Sequence, residues 1–201
     1  EGSEAEKLAA FRAVRDQMAD YLRVVLKLAG KLGARPLVFG SPKNRLKGEL
    51  SDAQAMTIAA EFFGTLAETA AQENVIVCIE PNPPEYGCDF VTNTAAALDL
   101  IRAVNHPSFR LHLDAAIMTM NGEAVESTLE SAAEYLAHFH VSEPQLGVVG
   151  NGTVNHPRFA AALRSIGYQG WVTVEMRSGW TSPDIDLVAS ALDYTLGVYG
   201  V

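Results

Sequence analysis

The chain has 201 residues, 48% of them hydrophobic and 19% charged, the balance of one globular domain able to bury a sizeable core. Fifteen basic against 24 acidic side chains leave a net charge of -9, a field that repels polyanions and argues against a nucleic-acid partner. No apolar run approaches the roughly 18 residues needed to cross a bilayer, and the opening stretch is acidic where a leader would be basic, so a cytoplasmic chain without a membrane partner is expected.

Apolar residues recur at helical spacing from Leu8 through Phe11, Val14, Met18, Leu22, Val25 and Leu28 to Leu32, and Gly33 closes this first helix. Residues 35–39 are too few for a helix and are stopped by Gly40, Ser41 and Pro42, which marks a buried strand. The alternation then repeats. Helices are expected over 51–73, 94–104, 124–135, 157–166 and 184–196, and strands over 75–80, 110–114, 137–142 and 170–175. Right-handed crossovers turn such a series into a parallel sheet covered by helices, either an open doubly wound sheet or a (β/α)₈ barrel. No strand is followed by the GxGxxG turn that open sheets advertise; Gly147, Gly150 and Gly152 are irregularly spaced and are expected in a flexible loop. Cys78 and Cys88 lack CxxC spacing, which points to a reducing compartment and no structural zinc.

Four of the five strands end in a side chain competent for metal or acid-base work: Glu80, Asp114, His140 and Glu175. In a parallel barrel all strand carboxyl ends meet at one face, so residues this far apart in sequence can converge. Taken singly, a strand-terminal acid most simply caps the next helix or accepts from loop amides. Four of them, each preceded by apolar residues that bury it, need a counter-charge that a shared divalent cation supplies. Three carboxylates and an imidazole suit an ion with five or six ligands, manganese in preference, with magnesium, cobalt or zinc as alternatives.

The blocks LVFGSPKNR, IEPNPPEYGCDFVTN, LHLDAAIMTMNGE, HFHVSEP and GYQGWVTVEMR together resemble the sugar phosphate isomerase and epimerase superfamily, the xylose isomerase-like TIM barrels. The resemblance implies an α/β fold of (β/α) TIM-barrel type, with five of eight βα units visible in one domain over 1–201 and the N-terminal units missing. It implies a metal held by Glu80, Asp114, His140 and Glu175. Glu80 and Glu175 would be the catalytic acid-base pair, moving a proton beside a carbonyl through an enediolate. The expected activity is metal-dependent isomerisation or epimerisation of a small sugar, polyol or sugar acid. A lyase or dehydratase on the same scaffold and a non-catalytic metal-binding remnant are the alternatives, and a DNA-repair endonuclease is disfavoured by the charge.

Two positions depart from the ketose epimerases of that superfamily. Ile117 stands where they carry histidine and Leu146 where they carry arginine, so a different substrate is expected. Lys43, Arg45 and Arg177 are the expected substrate-facing cations, and Glu143 is expected to orient a ligand. His156 looks like a helix start, His106 a surface turn, and His112 and His138 point either into the barrel or into the helix layer. Trp171 and Trp180 are candidates for the pocket wall. A five-stranded sheet would expose two apolar edges, which predicts association between copies.

Overall fold

A computed structural model of the chain describes residues 4–179 and 183–200. Five parallel strands lie in the order β1-β2-β3-β4-β5, each followed by helix, as in part of a TIM barrel. The elements are α1 (Glu4–Leu32), β1 (Pro36–Phe39), α2 (Asp52–Gln72), β2 (Ile76–Ile79), α3 (Thr94–Val104), β3 (Phe109–Asp114), α4 (Ala115–Met120), α5 (Val125–Ala132), β4 (Leu136–Ser142), α6 (His156–Ser165), β5 (Trp171–Glu175) and α7 (Asp184–Tyr199). No described helix is long and apolar enough to cross a membrane.

Local chemistry explains the helix starts. Ser51 accepts from the Gln54 amide while the Gln54 side chain accepts from the Ser51 amide, a reciprocal cap on α2. Asn93 and Asn155 cap α3 and α6 through their side-chain oxygens, and His156 opens α6. The core forms where the inner strands meet α2, α3 and α6: Phe63, Leu66, Leu100, Phe109, Leu111, Leu113, Phe139 and Phe159 are buried.

Two details depart from the sequence expectation. The segment after Asp114 turns into α4 at once, and α5 ends at Ala132 rather than 135, because the Tyr135 amide closes back on the Ala132 carbonyl before β4 begins. Between β3 and β4 the register shifts: Leu111 pairs with Leu136, but His112 pairs with His138 and Asp114 with His140. This bulge gives β4 one extra residue and aligns two inward-facing rows of side chains.

Candidate metal centre

Because the strands are parallel, their carboxyl ends share one face, and the four predicted residues meet there. His140 Nδ1 lies 3.2 Å from Glu175 Oε2, 3.9 Å from Asp114 Oδ2 and 4.0 Å from Glu80 Oε1. Ser142 pairs with Glu175 across β4 and β5, which carries the last carboxylate into line. The centre borders a cleft of about 360 Å³ lined by Glu80, Asp114 and Glu175 together with Asn82, Tyr86 and Arg177.

Glu80 and Asp114 are positioned by hydrogen bonds from neighbouring groups. Glu80 is buried; its Oε2 accepts from Asn82 Nδ2 at 2.9 Å, while Oε1 faces the imidazoles of His112, at 3.3 Å, and His140. Gly40 packs so closely that a Cβ there would fall 2.5 Å from Glu80 Oε2, so the glycine leaves room for the carboxylate. Asp114 Oδ1 accepts from the Ile117 amide at 2.8 Å and caps α4, and Oδ2 accepts from the Ser142 hydroxyl at 2.6 Å. The simple capping role weighed for strand-end acids thus holds for one oxygen of Asp114.

Electrostatics follow from this crowding. Burial pushes the Asp114 carboxyl up to about 7, against the opposing hydrogen bonds of Ser142 and Ile117 and with added repulsion from Glu80 and Glu175. Burial also raises Glu80, partly offset by the Asn82 amide, whereas Glu175 is lowered by its neighbour His140. Burial opposes charge on His140, but the surrounding carboxylates outweigh it and raise its pKa. His112 is held neutral, chiefly by burial and then by His140.

These side chains suit a divalent ion. His140 Nδ1 and His112 Nε2 are buried without a hydrogen-bond partner, and three acidic groups converge on the same space. The donor atoms of Glu80, His112, Asp114 and His140 all lie within 4.8 Å of one another. Oxygen and imidazole donors together fit a hard or borderline dication better than a thiophilic one.

The remaining predicted residues are distributed unevenly. Glu143 is buried at the cleft wall, where Oε2 accepts from the Thr153 and Val154 amides and Oε1 lies 3.2 Å from His156 Nε2. That carboxylate pins the glycine loop expected to be free; a Cβ on Gly152 would overlap it. Arg177 lines the cleft with an exposed side chain. Lys43 is exposed on a short turn and is not part of the cleft wall. Arg45 is buried instead of reaching the mouth: its Nη1 lies at hydrogen-bonding range of the Phe90 and Val91 carbonyls, and the Val91 carbonyl also accepts from the Asn82 amide. Val91 holds φ at 58°, a strained setting for a β-branched residue that the two donors on its carbonyl help maintain. Ile117 and Leu146 both line the cleft. Trp171 is 74% exposed on β5 and lies off the cleft wall, and Trp180 falls outside the described residues.

Sequence reasoning left His112, Asn82 and Ser142 without a role at the centre. For His112 and Ser142 a signal existed: each sits two residues from a proposed ligand on the same strand, and side chains at i and i+2 share a face. Asn82 lies past the strand end, where no periodicity points.

Parallel strands ending in clustered acids and imidazoles beside one cleft define the chain as a partial (β/α) barrel with a strand-end centre. Residues 11–196 match the family described as Xylose isomerase-like TIM barrel. The chain belongs to that family. It is 28% identical over 158 residues to a probable ketose 3-epimerase of Synechocystis sp., covering 77% of this chain and 54% of that protein. It is 26% identical over 186 residues to a putative hydroxypyruvate isomerase of Streptomyces coelicolor, covering 89% of this chain and 62% of that one. A crystal structure of D-psicose 3-epimerase in the presence of D-fructose superposes with a TM-score of 0.81 at 20% identity, covering 94% of this chain and 73% of that chain. The chain therefore spans about half the length of the curated relatives it matches.

Proposed function

We propose that this chain carries the metal centre of an isomerase or epimerase acting on a small sugar, polyol or sugar acid. The observation that carries the reading is the convergence of the Glu80, Asp114 and Glu175 carboxylates on His140 beside the cleft. The names of the relatives, ketose 3-epimerases and a hydroxypyruvate isomerase, support proton transfer next to a carbonyl. Glu80, Asp114, His140 and Glu175 hold the ion, manganese in preference. When bound, it would polarise the substrate carbonyl and offset the charge of the enediolate.

The protein's own groups do the rest. Glu80 and Glu175 approach the centre from β2 and β5, separated by the two strands that carry Asp114 and His140. They are pulled apart in acidity, Glu80 upward by burial and Glu175 downward by His140, as a pair exchanging one proton across a planar intermediate requires. Arg177 lines the cleft, where a carboxylate or phosphate on the substrate would meet its positive charge. Ile117 and Leu146 make the wall apolar where the ketose epimerases of the superfamily carry histidine and arginine, which favours a substrate unlike the free ketoses.

The test is solvent-deuterium incorporation into a panel of ketoses, keto acids and their phosphates by protein supplied with manganese. Incorporation into at least one substrate, reduced by about 100-fold or more in Glu175→Gln, is the expected result. Stoichiometric manganese with no incorporation across the panel would leave a metal-binding chain without turnover and sink the catalytic reading.

A further inference from the structure

We propose that Tyr86 is a specificity-determining residue of the cleft, its phenol donating a hydrogen bond to a substrate hydroxyl away from the reacting carbons. The proposal rests on the isomerase or epimerase reading above and leaves the metal ligands as given there. Tyr86 ends the short turn Pro84–Tyr86 that follows β2 and lies half-buried on the cleft wall. The turn is stiff. Pro81, Pro83 and Pro84 each fix φ, and the Tyr86 amide donates to the Pro83 carbonyl at 3.0 Å. Gly87 closes it at a φ of 77°, donating to the Pro84 carbonyl at 2.8 Å. A ring carried on such a turn is already ordered before a ligand arrives.

The hydroxyl has one partner, and that partner donates to it: the Gln145 amide lies 3.2 Å from Tyr86 Oη. The phenol oxygen therefore acts as an acceptor in that bond and still has its own proton to give. Among the described residues no group accepts that proton, and the space beside it is the cleft. The amide is held in place at a cost. Gln145 has φ 60° and Leu146 φ 56°, consecutive left-handed settings in residues other than glycine. The loop after β5 braces the same segment, since the Arg177 amide donates to the Leu146 carbonyl at 3.1 Å. The loops after β2, β4 and β5 are thus joined at the cleft by two hydrogen bonds, and the strained segment between them orients the phenol.

Other polar groups of the wall are committed. Asn82 Nδ2 donates to the carbonyl and to the carboxylate of Glu80, the Ser142 hydroxyl donates to Asp114, and Glu143 accepts from the Thr153 and Val154 amides. Tyr86 stays protonated well beyond neutral pH. Burial raises its pKa against the pull of the Gln145 amide, and the charges of Asp114, Glu175 and Glu80 add to the rise. Those three charges also put the phenol within electrostatic reach of the centre. A neutral donor so placed recognises a hydroxyl, and a site built to bond a hydroxyl discriminates against the analogue that lacks it.

The test uses manganese-loaded wild type and Tyr86→Phe, the best substrate found in the deuterium panel, and its monodeoxy analogues, each lacking one hydroxyl outside the reacting carbons. For the parent substrate, kcat/KM should fall by about tenfold or more in Tyr86→Phe. For one analogue the two proteins should agree within about twofold, because the oxygen that Tyr86 serves is absent there. An equal loss on every analogue would make Tyr86 a brace for Gln145 alone and overturn the proposal. So would a variant as active as wild type on the parent, or substrates that all lack a hydroxyl outside the reacting carbons. Wild type that binds manganese and incorporates deuterium into nothing would instead overturn the isomerase or epimerase reading itself.

Discussion

One oxygen of Asp114 caps α4 and the other accepts from Ser142, so the group is fully engaged and yet buried as an acid whose pKa has risen to about 7. The unfolded value is 3.8 and the folded value lies above it, so the native state takes up the proton more readily than the unfolded chain. The contribution of this group to stability is therefore complete below about pH 4 and is lost as pH rises through 7. In chelator-treated protein, unfolding free energy should fall by an order of a few kcal/mol more across that interval in wild type than in Asp114→Asn. Urea unfolding at a series of pH values reads the difference, and parallel curves for the two proteins would refute it. Manganese should restore wild-type stability at pH 8 and do so weakly in the variant. At this scale the sequence was informative where strand alternation ends in an acid, and misleading for one of the charges that follow in loops. Arg45 was expected to face the substrate, but its guanidinium lies against the Phe90 and Val91 carbonyls, a long-range contact no local pattern encodes.

The elements were legible because each carries its own signal. Ser51 and Gln54 announce α2 through a reciprocal cap, and Asn93 and Asn105 bracket α3. Ser51→Ala should cost about 1 kcal/mol in chemical unfolding, and Ser51→Asp only a fraction of that, since the aspartate restores an acceptor for the Gln54 amide. Equal losses in both would mean the cap contributes little. What escaped the sequence is shorter than the window in which periodicity works. The six residues of α4 fit no hydrophobic repeat, and the extra residue in β4 shifts partners without altering the alternation along either strand. The glycine loop was expected to be free because glycines permit motion, but Gly152 is small so that the Glu143 carboxylate can reach the Thr153 and Val154 amides.

At the scale of the molecule, the inner strands are well covered and the outer ones are not. Phe11, Val14, Tyr21, Val24, Leu28 and Leu32 are exposed along α1, Ile185, Val188, Leu192 and Leu196 along α7, and Trp171 on β5. Exposed apolar side chains in such number favour association. The 201-residue chain should sediment with a mass that grows with concentration, and a monomer at every concentration tested would contradict this. The position of β5 matters in another way. It pairs only with β4 among the described strands, and it ends in Glu175 beside the centre. Outer strands fray before inner ones, so amide protons of residues 171–175 should exchange with solvent sooner than those of β3. Each such opening would swing one carboxylate clear of the ion, and the lifetime of bound manganese would then track the breathing of a single strand.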